Sequence, residues 1–275
     1  MAFSVNTNNG AAIALQSLTL TQHQLQNTQS QISTGLKVAT AKDNGAVWAI
    51  AQNQRAQVMS LDSVTASLSR SSSAVDVAVS AGTSISDLLT SMKATALSAS
   101  DSGLDQASRD ALNTQFQALR DQVTTIVTNA DFNGTNMIKS GGNTITALAN
   151  ADGTSKITVQ AQDLSLGGAN VTVSSTATIG TATTASAMIA TLQTSINNVS
   201  AALAKLGTGS QALANHSTFI SNLQDTLNTG IGNLVDADLA KESATLQALQ
   251  TKQQLGVQAL SIANSSTSVL LSLFR

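Results

Sequence analysis

The residues able to do chemistry are few in this chain of 275 residues, which has two histidines and no cysteine. Without cysteine there are no disulfides, thiolate metal sites or thiol nucleophiles. His216 has Ser210, Ser217 and Asp225 close by in sequence, the residue types of a hydrolytic triad. Those positions fall along one predicted helix, and no Gly-x-Ser-x-Gly elbow presents a serine. His216 and His23 are therefore read as surface or subunit-contact residues. Gly207-Thr-Gly-Ser210 has glycines in the manner of a phosphate loop, but it lacks the lysine and the preceding strand. It reads as a locally loosened or closely packed helix. Asp236 and Asp238 could share a cation, yet at a helix start they are better read as caps. No His-Glu-x-x-His occurs. Neither catalytic residues, a metal nor a cofactor is expected.

The elements that would position these groups are helical. Leu15, Leu18, Gln22, Leu25, Gln29, Ile32, Leu36 and Ala39 advance by threes and fours. Leu246, Leu249, Gln253, Gly256, Leu260, Ala263, Thr267, Leu270 and Phe274 do so near the other end. Such spacing draws one stripe along a helix that requires a partner helix. Glutamine interrupts both stripes, and Glu242 is the sole glutamate, so i,i+4 ion pairs are scarce. These end helices must be stabilised by packing, and they are expected to be disordered in an isolated subunit and to order on assembly. Between them, Leu61, Val64, Leu68, Ser71, Val75, Ala78, Gly82, Ile85, Leu89, Met92 and Ala96 keep the same rhythm over about 53 Å of helix. A turn at Asp101-Ser-Gly103 and a shorter seam from Leu112 to Ala130 follow. The longest seam, Ile189 to Leu234, would span roughly 70 Å.

Residues 131–182 break the rhythm. Thr144–Leu148, Lys156–Gln160 and Val171–Val173 alternate as strands do, and Asn150-Ala-Asp-Gly153 suits a hairpin connection. The expected fold is mainly α, an elongated antiparallel helical rod or coiled coil with a small β-hairpin element.

Composition narrows the function classes. Proline is absent where roughly 14 would be usual, which suits long helices. Charged residues are 10 % of the chain, against a norm of about 25 %. A surface so poor in charge suits a protein whose faces pack against neighbouring subunits. Net charge is −2 with no basic cluster, and the six aromatic residues are scattered, so no nucleic-acid footprint is expected. No apolar run reaches membrane-span length, and the first residues lack the pattern of a secretory signal.

Three strings stand out. The first runs from Ser33 through Gly35-Leu36 to Lys42-Asp43-Asn44-Gly45, the second is Asp131-Phe132-Asn133-Gly134, and the third runs from Asp236 through Asp238 to Glu242. In this order, and with both terminal seams, they resemble bacterial flagellin of the short, alphaproteobacterial kind. The resemblance extends over the whole sequence. It implies a domain division of 1–42 with 236–275 as an inner coiled-coil core, and 43–235 as an outer helical rod with its β element at about 131–182. It also implies a structural subunit that self-assembles into the helical flagellar filament for swimming motility. The alternative is a hook-filament junction protein or another minor adapter of related build. Leu15, Leu18, Leu25, Ile32, Leu36, Leu246, Leu249, Leu260, Leu270 and Phe274 are the expected self-assembly seams. Gly35, Leu36, Lys42, Asp43, Phe132, Asn133, Gly134, Asp236, Asp238 and Glu242 carry the family strings. Implied partners are further copies of the chain, the filament cap, the hook-filament junction protein, an export chaperone and the type III export apparatus, with O-glycosylation on exposed Ser/Thr. The implied location is secreted, in the extracellular filament.

Overall fold

The computed structural model describes residues 7–272, with side chains as far as 265. Among these residues the fold is mainly helical. Helices α1 Asn9–Thr34, α2 Gly45–Ala99, α3 Gln106–Asn129, α4 Ala182–Val235 and α5 Leu239–Ser272 are joined by one two-stranded antiparallel sheet, β1 Ile145–Leu148 with β2 Lys156–Val159. The chain divides into two compact units, Met1–Ala56 with Thr226–Arg275, and Gln57–Asp225.

Short polar side chains set the helix starts. Asn8 Oδ1 accepts the Ala11 N–H at 3.0 Å, Asn44 Oδ1 that of Val47 at 3.1 Å, and Asp105 that of Ser108 at 3.1 Å. Each satisfies an N–H that a helix's first turn leaves without a partner. Gly35 closes α1 in the left-handed region at φ 71° and donates its N–H to Gln31 O at 2.8 Å. The Asn44 cap starts α2 sixteen residues ahead of Leu61, where the apolar rhythm begins, and this makes the helix 55 residues long.

The larger core lies in the Gln57–Asp225 unit. All eleven positions of the Leu61–Ala96 seam are buried. Each leucine or isoleucine so removed from water contributes about 1.5–3 kcal/mol. Within this unit α2 and α4 run antiparallel, since Asp62 meets Gln224, Asp76 meets Ser210 and Lys93 meets Gln193. Glycine permits close approach at two points. A Cβ on Gly82 would stand 2.8 Å from Leu203 Cδ2, and one on Gly209 would stand 2.6 Å from Val159 Cγ1.

The hairpin pairs Ile145 with Val159 and Leu148 with Lys156. It is tied to α2 by the Leu148 N–H donating to Ser67 Oγ at 3.2 Å, and to α4 by the His216 Nε2–H donating to Ala149 O at 2.7 Å. The expected third strand, Val171–Val173, does not form. Val171 makes one isolated bridge with Leu166. The Thr172 N–H goes to Ser195 Oγ of α4 at 3.0 Å and Val173 O accepts from Gly167 at 2.7 Å, so a helix side chain and a loop amide take the bonds a neighbouring strand would have made. The alternation was real, but both valines are buried under this irregular segment.

Two buried polar residues hold connections in place. The Arg109 guanidinium donates to the carbonyls of Ala99, Asp101 and Leu104 and so closes the end of α2. Asn136 donates Nδ2–H to Val127 O at 2.7 Å and accepts from Ile138 and Lys139, which closes the end of α3.

Candidate self-assembly surface

In the first unit, the break after α1 pairs with the break between α4 and α5. Leu36 and Asp236 form an antiparallel bridge. The Lys37 N–H donates to Val235 O at 2.8 Å and the Ala237 N–H to Gly35 O at 2.9 Å. Lys37 Nζ reaches Asn233 O at 2.9 Å. Next to this clasp Asp43 accepts from Thr40 N–H at 2.8 Å and Ala39 N–H at 3.0 Å, and the Thr40 amide, foremost among these bonds, holds its carboxyl below the ordinary aspartate range. Asp238 caps α5 through the N–H groups of Ala240 and Lys241. Thus the first and third strings form one junction.

The second string forms a tight turn in the other unit. Asn133 and Gly134 both have positive φ, 52° and 79°. Phe132 and Thr135 exchange two backbone bonds at 3.0 Å around them. This is the type I′ geometry that Asn-Gly favours. Asp131 Oδ1 accepts the Gly134 N–H at 2.8 Å.

From the clasp, α1 and α5 run antiparallel against one another. Leu18 Cδ1 lies 3.3 Å from where a Cβ on Gly256 would stand, and Asn8 Nδ2 donates to Ala263 O at 2.7 Å. On α5 the protected positions are Leu246, Leu249, Gln253, Gly256, Leu260 and Ala263, as the spacing expected. On α1 the register differs by one at alternate steps. Ala14, Thr21 and Thr28 are protected, while Leu15, Gln22 and Gln29 are exposed; Leu18, Leu25 and Ile32 are half-buried.

Both helices therefore retain apolar side chains with nothing over them. Ile13 is 67 % exposed, Leu15 55 %, Leu255 61 % and Ile262 66 %. Eight of the eleven large apolar residues exposed among the described residues belong to this unit. A family model described as the bacterial flagellin N-terminal helical region matches residues 5–144, and one described as its C-terminal helical region matches 189–274.

The chain belongs to the bacterial flagellin family. It is 54 % identical to flagellin FljO of Caulobacter vibrioides over 99 % of this chain and 98 % of that protein. It is 37 % identical to a Brucella melitensis flagellin over 99 % of both. A solved Vibrio parahaemolyticus protein assigned as flagellar hook-associated, 13 % identical, shares the fold with a TM-score of 0.58 over 70 % of this flagellin and all of that protein.

Of the expected seam residues, Leu249 is buried, Leu18, Leu25, Ile32, Leu36, Leu246 and Leu260 are half-buried, and Leu15 is exposed. The Leu270 side chain lies outside the described side chains and Phe274 outside the described residues. Among the string residues, Lys42, Asp236 and Asp238 are exposed, and Phe132 and Glu242 are half-buried. Sequence reading missed Ile13, Leu20, Leu255 and Ile262. Their signal was present as a second heptad-spaced apolar set, 13 to 20 and 255 to 262, beside the seam it followed.

The residues first considered for chemistry have other partners. His216 is held by the hairpin, with its ring centroid 5.7 Å from that of Phe219. Gly207–Ser210 is unbroken helix, closely packed at Gly209 and open at Gly207. Among the described residues no set of three metal-ligating side chains gathers, and no helix is long and apolar enough to cross a membrane.

Proposed function

We infer that this flagellin is a structural subunit of the bacterial flagellar filament, and that it works by assembly and carries no reaction of its own. The observation that carries the reading is the uncovered apolar surface of α1 and α5. A second copy of the chain is its natural occupant. These four side chains are 55–67 % exposed, so covering what remains is worth about 4–7 kcal/mol, whereas association costs about 4–15 kcal/mol. One pairwise contact is then marginal, and a lattice giving each subunit several neighbours is stable. A heterologous contact that does not close on itself builds a helical polymer.

On this reading the paired chain ends, 1–42 and 236–275, form the inner core of the filament, and 43–235 form the outer part. The exposed seam and string residues supply contacts between copies. The protein leaves the cell through the flagellar type III apparatus, with an export chaperone, and adds beneath the cap beyond the hook-filament junction. Lack of proline and cysteine removes two slow folding steps from that route. Acidic sugars O-linked to exposed Ser/Thr fit the polar segment between α3 and α4.

Deletion of 246–275 tests the core assignment. The truncated protein should stay monomeric in sedimentation while retaining the melting transition of the Gln57–Asp225 unit. Long filaments from that truncation would refute the assignment. Growth that stops after one layer in the full-length protein would favour the junction-adapter reading.

A further inference from the structure

The turn after α3 sets a chemically fragile dipeptide beside a group able to protect it. Asn-Gly pairs cyclise readily because glycine has no side chain to shield its nitrogen. The Gly134 nitrogen, once deprotonated, would attack Cγ of Asn133. A C–N bond forms, the bond from Cγ to the amide NH2 breaks, ammonia leaves and the backbone amide proton passes to solvent. Water then opens the succinimide at either carbonyl, giving aspartate or isoaspartate. Both residues are exposed to that water. The nucleophile, however, is occupied, since the Gly134 N–H donates to Asp131 Oδ1 at 2.8 Å. A carboxylate at that distance opposes formation of the amide anion, and the bond must break before attack. The sequence has two other Asn-Gly pairs, at Asn9 and Asn44. Asn44 is restrained differently, its own side-chain oxygen being taken by the Val47 N–H at 3.1 Å.

We propose that Asn133 is a latent deamidation site of this flagellin and that Asp131 is the residue that holds it in check in the folded protein. Loss of the bond matters beyond the turn. An isoaspartate lengthens the backbone between Phe132 and Thr135, whose paired bonds define the turn, and the next residue is the buried Asn136 that closes α3.

The test uses the full-length protein, folded and guanidinium-unfolded, aged in mildly alkaline buffer. Mass spectrometry of the tryptic peptide 121–139 and an isoaspartate assay follow conversion at Asn133. Folded wild type should react roughly tenfold or more slowly than unfolded, which is about 1.4 kcal/mol of protection. Asp131→Ala should remove most of that difference with circular dichroism unchanged. Asp131→Asn, which keeps an acceptor oxygen without charge, should fall between them. If Asp131→Ala is not folded, Asp131→Asn decides by the same comparison. Wild type that reacts equally fast folded and unfolded would overturn the proposal, as would folded Asp131 variants that react at the wild-type rate.

Discussion

Gly207 and Gly209 lie two residues apart in α4 and should respond oppositely to alanine. In a helix interior, alanine is favoured over glycine by about 0.5–1 kcal/mol. At Gly207 an added Cβ meets nothing within 4 Å, so Gly207→Ala should stabilise by that amount. At Gly209 the Cβ would stand 2.6 Å, 2.9 Å and 3.3 Å from Val159 Cγ1, Cγ2 and Cβ, which requires the hairpin to shift. Overpacking of this kind costs about 1–3 kcal/mol. After the helix gain, Gly209→Ala should lose about 1–2 kcal/mol, or roughly 2–8 °C in a unit of this size. Val159→Ala alone should lose about 1–2 kcal/mol as a cavity. Combined with Gly209→Ala it should lose less than the sum by about 1 kcal/mol, since the new methyl fills the space. Thermal unfolding of the monomeric protein followed by circular dichroism reads all four variants. Equal, stabilising effects at both glycines would refute the reasoning.

Other perturbations have equally definite outcomes. Arg109→Met strands three carbonyls under a buried side chain and should cost about 2–4 kcal/mol in chemical denaturation, with Arg109→Lys intermediate because the guanidinium fork is lost. The Asp105 carboxyl is held below the ordinary aspartate range, chiefly by the Ser108 hydroxyl and then its N–H. Its folded value is the lower one, so the stability it contributes is complete above the unfolded value and disappears as pH falls through the folded one. Asp105→Ala and wild type should therefore differ at neutral pH and converge in strong acid. His216→Ala should loosen the Ala149 end of the hairpin, costing about 1 kcal/mol and speeding amide exchange there.

Much of the helical framework was legible because its periodicity and its packing have the same cause. Every position from Leu61 to Ala96 that the rhythm selected is buried, and the α5 seam holds its register as far as Ala263. The α1 seam was misread at alternate steps because large apolar residues draw the eye, whereas the protected residues there are the small Ala14, Thr21 and Thr28. The Val171–Val173 strand failed for a reason that alternation cannot carry, namely which group would accept its hydrogen bonds. The strings were visible as strings, but the clasp of Leu36 on Asp236 joins residues 200 positions apart in sequence, and no local signal specifies it. Arg109 and Asn136 act through backbone carbonyls and amides that have no sequence signature.

The central claim is that α1 and α5 drive polymerisation through apolar side chains the single subunit leaves uncovered. Seeded growth tests it most directly. Monomer of wild type and of the triple variant Ile13→Ser, Leu255→Ser and Ile262→Ser is added to short filament seeds, and length is followed by electron microscopy. These three side chains are exposed in the monomer, so melting of the variant should change little. Wild type should elongate the seeds, and the variant should remain monomeric beside them. Filaments of the variant growing at the wild-type rate would contradict the account.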